Sequence, residues 1–226
     1  MPKSNPRDRV HDAASRTREV LIGARRLEGT LTIAEPSKGL IIFAHGSGSS
    51  RLSPRNRLVA HALNDDGLAT LLFDLLTEEE AADRSNVFDI ALLGRRVGEA
   101  VRWAHAEGEV GHLPIGLFGA STGAAAALVA AADNPRGIAC VVSRGGRPDL
   151  AASALPRVKA PTLLIVGGAD YGVIELNQEA LALLTCEKRL EIVPGATHLF
   201  EEPGTLDRVV DLAGRWFESH LTGVKS

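Results

Sequence analysis

Short apolar runs recur along this chain, and each is followed by a stretch long enough for a helix. The runs are LIIFA at 40–44, ATLLFDL at 69–75, LPIGLFGA at 113–120, GIACVVS at 137–143, APTLLIVGG at 160–168 and RLEIVPG at 189–195. Runs rich in branched residues, without polar alternation, suit strands buried on both faces. Parallel neighbours cannot be joined by a tight turn and need a crossover, which is usually a helix. The pattern therefore predicts an α/β chain: a three-layer sandwich, with a mostly parallel sheet and helices on both faces.

The intervening segments carry helix signals. Pro54 opens one that ends at Gly67, and Ile90, Leu93, Val97, Val101 and Ala104 mark a long one. An Ala-rich helix over 121–132 stops before Pro135, and a further helix covers 173–184. A last one starts near Pro203, with Leu206, Val209, Val210, Ala213, Trp216 and Phe217 at helical spacing. Residues 18–22 and 29–35 read as an opening hairpin. The acidic stretch 77–85 reads as a loop or short lid, too short for a large cap.

Composition sets the outer limits. The 226 residues suit one domain, read as 18–226 behind a flexible N-terminal segment at 1–17. Aromatics are only 4%, so Ala, Val, Leu and Ile must build the core. The net charge of −3, without basic stripes or aromatic platforms, argues against nucleic acid. The polar N-terminus lacks the apolar region of a signal peptide, and no run is long enough to span a membrane. The expectation is a soluble cytoplasmic protein, a monomer or homodimer, with no membrane partner. Cys140 and Cys186 form no C-x-x-C pair, and neither a metal nor an organic cofactor is expected. Cys140 lies inside an apolar run and reads as a buried small hydrophobe.

The sharpest local signal is GASTG at 119–123, between a predicted strand and a predicted helix. Such a turn is tight, and side chains at Gly119 and Gly123 would collide with the strand and helix. It lifts the Ser121 hydroxyl to the helix N-terminus, where amides and the helix dipole favour negative charge. A Gly-rich turn can also hold a phosphate or a cofactor. The dinucleotide pattern G-x-G-x-x-G and the G-K-[ST] of a P-loop are both absent from it.

A serine hydroxyl is a weak nucleophile that needs a base, and the base needs an orienting group. Asp170 follows the strand TLLIVGGA, and His198 sits in PGATHLF after the last strand. Both fall at strand C-termini, the edge where sites form in parallel sheets. Asp170 could instead form a turn or cap a helix, and Asp74 and Asp149 are alternative acids. Glu175 and Glu201 have simpler readings as helix-first-turn or loop residues. His45 lies at the correct edge but precedes Ser121, and it reads as a brace for its loop. Attack on a carbonyl also needs two donors for the oxyanion. The backbone amides of Thr122 and of Ser47, in HGSGSS, are the candidates. Arg51, Arg55, Arg144 and Arg147 stand on loops at the same edge, where they could hold a substrate anion or pair with nearby carboxylates.

HGSGSS after an apolar strand, GASTG, GGADYGVIELN and PGATHLF together resemble the α/β-hydrolase superfamily. More closely they resemble its compact dienelactone-hydrolase-like branch, over nearly the whole chain. The resemblance implies the α/β-hydrolase fold without a large cap. It puts Ser121 at the nucleophile position, Asp170 at the acid position, His198 at the base position, and Ser47 and Thr122 at the oxyanion donors. Dienelactone hydrolases usually carry a cysteine nucleophile, whereas this chain has a serine there. That departure turns the expectation from dienelactones to a serine hydrolase, or serine esterase, cleaving small carboxylic esters or thioesters through an acyl-enzyme. An anionic group on the substrate stays open. An acyltransferase with the same triad and a non-catalytic binding protein on this scaffold are the alternatives.

Overall fold

The structure, a computed structural model, describes residues 15–221. One eight-stranded sheet has the order β1-β2-β4-β3-β5-β6-β7-β8. Its strands are β1 (Ser15–Ile22), β2 (Leu27–Ala34), β3 (Leu40–Ala44), β4 (Ala69–Phe73), β5 (Ile115–Ala120), β6 (Cys140–Arg144), β7 (Thr162–Gly167) and β8 (Lys188–Val193). The β1–β2 and β2–β4 pairs are antiparallel, and the pairs from β4 through β3 to β8 are parallel. The helices are α1 (Pro54–Asp65), α2 (Glu78–Ala82), α3 (Arg84–Val87), α4 (Ile90–Ala106), α5 (Thr122–Asp133), α6 (Val173–Leu183) and α7 (Thr205–Leu221). This is the expected mostly parallel α/β-hydrolase sandwich, without a large cap.

The central strands explain why the apolar runs show no alternation. All five residues of β3 are buried. Leu40, Ile42 and Ala44 join the core under α4 and α5, whereas Ile41 and Phe43 join the core under α1 and α7. Side chains alternate faces, but both faces are covered, so both must be apolar. On α7, Val209, Val210, Ala213, Trp216 and Phe217 form the buried stripe foreseen from their spacing. The Ala-rich α5 is buried on nearly every side, and a methyl added at Gly94 of α4 would stand 2.9 Å from Val129 Cβ. Small residues let this helix lie between the sheet and α4.

Two expectations need correction here. Of the segment 1–17, residues 1–14 lie outside the described residues, but Ser15, Arg16 and Thr17 already belong to β1. They pair with Ala34, Ile33 and Thr32, and the Thr17 and Thr32 hydroxyls are 3.0 Å apart. The first five residues of β1 are exposed, so no apolar period announces them, and backbone pairing with exposed polar side-chain contacts sets the strand. Residues 77–85 are not a plain loop either. Thr77 and Glu80 form a capping box that opens α2, and Asp83 caps α3. Neither helix buries a residue, which is why no period marked them. Arg96 of α4, itself buried, donates to Glu80 at 2.7 Å and ties this small lid down.

Candidate active site

The parallel strands point their C-terminal ends to one edge, and the loops leaving that edge carry the site. Ser121 follows β5 with φ 52° and ψ −123°, in the left-handed region that disfavours residues with a side chain. Neighbouring backbone fixes this strained turn. The Ser121 amide donates to the Arg144 carbonyl at 3.2 Å, and the Ser121 carbonyl accepts from Arg147 and Ala124 at 3.1 Å each. A methyl at Gly119 would lie 2.8 Å from the Ala124 nitrogen, and one at Gly123 would run into the Ala44 and His45 carbonyls. The two glycines are therefore required by close approach on either side of the hydroxyl.

His198 leaves the loop after β8 and brings Nε2 to 3.3 Å from Ser121 Oγ. Its Nδ1 donates to Asp170 Oδ2 at 2.8 Å, in the loop after β7. Gly167 lets these loops meet, since a methyl there would stand 2.7 Å from the Thr197 carbonyl oxygen. A carboxylate on Nδ1 leaves the Nε2 lone pair facing the hydroxyl, the tautomer that a general base requires. Three residues far apart in sequence thus form one hydrogen-bonded chain.

The alternative acids are engaged elsewhere. Asp74 accepts from the Arg51 amide at 2.7 Å, and Asp149 takes Arg147 through two bonds of 2.9 and 2.8 Å. Glu201 pairs with Arg55 at 2.9 Å, and Glu175 lies in the first turn of α6. His45 acts as a brace: Nδ1 donates to the Gly46 carbonyl at 3.0 Å, and Nε2 accepts the Leu75 amide at 3.1 Å. Burial lowers its pKa, and accepting an amide at Nε2 keeps the ring neutral.

At the expected oxyanion donors the geometry holds something the sequence did not signal. Gly46 brings its loop against Ser121, where a methyl would stand 2.9 Å from Ser121 Cβ. The Ser47 amide, next in line, donates to the Thr122 hydroxyl at 2.8 Å. The two loops are 75 residues apart, so no local pattern could have announced the bond. Beside Ser47, a cavity of about 510 Å³ extends beneath α2 and α3. Leu27, Leu75, Leu76, Ala81, Val87 and Leu93 supply its apolar wall. Tyr171 is 83% exposed and does not line that cavity. Among the described residues, no group of three or more His, Cys, Asp or Glu side chains is arranged to hold a metal. No helix of the described residues is long and apolar enough to cross a membrane.

The model of the dienelactone hydrolase family matches residues 29–213. The chain belongs to that family. The crystal structure of a dienelactone hydrolase from Anabaena variabilis superposes with a TM-score of 0.87 at 55% identity, covering 92% of this chain and 98% of that one. Est1E from Butyrivibrio proteoclasticus shares the fold at 16% identity, with a TM-score of 0.76 over 90% of this chain and 98% of its own. Proteins of two Mycobacterium tuberculosis strains, provisionally named phosphoribosyl transferases, are 57% identical over 205 residues. That match covers 91% of this chain and 46% of theirs, so the chain spans about half the length of these relatives.

Family membership corrects one expectation. From sequence, Ser121 marks a serine branch, and hence a serine-dependent hydrolase, a serine esterase, of carboxylic esters or thioesters. The dienelactone hydrolase family uses a cysteine nucleophile, so that class does not follow from membership, and the residue type it brings forward is Cys140. What membership supports is a hydrolytic α/β-hydrolase. In this chain the thiol lies away from the triad. Cys140 opens β6 opposite Gly116, at the end of the sheet remote from the site loops. Gly116 is five residues before Ser121, so the thiol's strand position is about 16 Å from the elbow at the usual rise per residue. Cys140 is fully buried, and burial pushes its thiol up to about 12.

Proposed function

We propose that this chain hydrolyses small esters through a covalent acyl-enzyme formed at the turn after β5. The site residues we assign are Ser121 as acyl acceptor, His198 as general base and acid, Asp170 as the group that orients it, and the amides of Ser47 and Thr122 as oxyanion donors. One observation carries the reading: a single imidazole lies 2.8 Å from Asp170 and 3.3 Å from the elbow hydroxyl. His198 takes the hydroxyl proton as Oγ attacks the ester carbonyl, and Asp170 stabilises the imidazolium. The oxyanion falls to the donors flanking the elbow, so the Ser47 amide must exchange the Thr122 hydroxyl for the substrate oxygen. The leaving alcohol takes the proton from His198. Water, deprotonated by the same imidazole, then releases the acid. The apolar wall beside Ser47 suits the hydrocarbon part of the substrate. A cytoplasmic location belongs to the same reading.

Intact-mass measurement with a small fluorophosphonate separates this site from the family's residue type. The parent and Cys140→Ser should each gain one adduct, Ser121→Ala none, and His198→Ala one that forms at least about a hundredfold more slowly. An adduct that survives in Ser121→Ala and disappears in Cys140→Ser would overturn the assignment and put the covalent step on the thiol.

A further inference from the structure

The segment leaving β6, RGGR at 144–147, touches all three triad loops. The Arg144 carbonyl and the Arg147 amide hold the two ends of Ser121, at 3.2 and 3.1 Å. Gly145, at φ 52°, passes close to the His198 loop, and a methyl there would stand 3.0 Å from the His198 carbonyl oxygen. Gly146 presses on the first turn of α5, where a methyl would lie 2.7 Å from Ala124 Cβ. Asp170 joins this hub through α6. Its carbonyl accepts the Val173 and Ile174 amides at 3.2 and 3.3 Å, so the acid is anchored to the first turn of that helix. One turn further on, Asn177 donates from Nδ2 to the Gly146 carbonyl at 3.0 Å and to the Val173 carbonyl at 2.8 Å.

Asn177 is fully buried, and its Oδ1 has no partner among the described residues. The two carbonyls facing Nδ2 fix that orientation, since turning the amide over would set oxygen against oxygen. Burying an unpaired amide oxygen is unfavourable. A leucine of similar size would avoid that cost but would make neither bond. What the asparagine adds is a tie across the joint between α6, which carries the acid, and the segment that fixes the nucleophile.

We propose that Asn177 is a positioning residue of the active site. By holding the Gly146 carbonyl it keeps Asp170 in register with Ser121, so that His198 reaches both. The role rests on the acyl-enzyme reading and deepens it. A fully buried side chain touches no substrate, so its loss acts on the rate of the covalent step and leaves reagent binding alone.

The test uses three variants. Asn177→Leu keeps the size and removes both bonds. Asn177→Ser keeps a donor for the Val173 carbonyl, one turn back, but is too short for Gly146. Ala180→Gly, buried on the same helix, weakens α6 without touching the tie. Saturation kinetics of fluorophosphonate labelling should show the maximal rate reduced about tenfold or more in both Asn177 variants, with the half-saturating concentration within about twofold of the parent. Ala180→Gly should keep the parent's maximal rate even where its urea midpoint falls as far. The ring 15N shifts of His198, at a pH where the imidazole is neutral, read the same register without turnover. The parent should hold the Nδ1–H tautomer, and both Asn177 variants should shift towards a mixture with the Nε2–H form. If Asn177→Leu fails to fold, Asn177→Ser and Ala180→Gly still decide. Parent-like maximal rates and an unmoved tautomer in the Asn177 variants, or an equal loss in Ala180→Gly, overturn the role. An unlabelled parent would sink the acyl-enzyme reading, and the tautomer shift alone would then decide for or against Asn177.

Discussion

Replacing Gly123 with alanine puts a methyl group where the elbow meets the loop after β3. Its Cβ would stand 2.7 Å from the Ala44 carbonyl carbon and closer still to the carbonyl oxygens of Ala44 and His45. Ordinary contact between such atoms begins near 3.5 Å, so backbone must move by roughly an ångström. The obstacle is backbone on both sides, and no flexible side chain can yield instead. The β3 loop carries Gly46 and Ser47, and the elbow carries Ser121, so the displacement falls between the hydroxyl and one proposed oxyanion donor. A misplacement of about 1 Å in a reacting constellation costs on the order of a hundredfold in rate. The same overpacking should destabilise the fold by about 1–3 kcal/mol. Fluorophosphonate labelling rates and urea midpoints, measured on Gly123→Ala and on Gly108→Ala, check both figures. At Gly108 a methyl meets nothing within 4 Å, so that variant should match the parent within about 0.5 kcal/mol. Labelling of Gly123→Ala at the parent rate, with an unchanged midpoint, would refute the idea that close approach at this glycine sets the site.

The remaining expectations concern single contacts. Thr122→Val removes the acceptor of the Ser47 amide while nearly keeping side-chain shape. It should raise affinity for a trifluoromethyl ketone transition-state mimic by up to about tenfold, since the Ser47 amide then has no bond to exchange, and cost about 1 kcal/mol of stability. Unchanged mimic affinity would mean that the bond only fills space. Buried, neutral His45 has a pKa below its ordinary 6.5, so the unfolded chain binds its proton first as pH falls. Its contribution to stability is therefore complete above about pH 6.5 and shrinks below that value towards the depressed folded pKa. Urea midpoints between pH 5 and 7 should fall with acid in the parent and fall less in His45→Gln. Equal slopes would show that His45 does not set the acid limit.

The sequence by itself determined the layered fold and which residue types stand at its edge. LIIFA and TLLIVG read as strands covered on both faces, because their large apolar residues fall on both faces without polar alternation. The glycines of GASTG announced a turn that a side chain at either end would break. Asp170 and His198 were legible because each follows a strand whose end faces the site in a parallel sheet. Short-range order is written in short-range pattern. Pairings between distant segments were decided only by the tertiary structure. Asp74, a candidate acid from sequence, is held by Arg51, and Asp170 alone of the candidates reaches the imidazole. The Thr122 hydroxyl engages Ser47, and Arg144 is buried against Asn56 with no carboxylate partner among the described residues. Cys140 is kept from the site by its place in β6, and residue type alone could not give that place. Hydrogen bonds and charge pairs act over a few ångströms, and only the folded packing decides which distant side chains come that close.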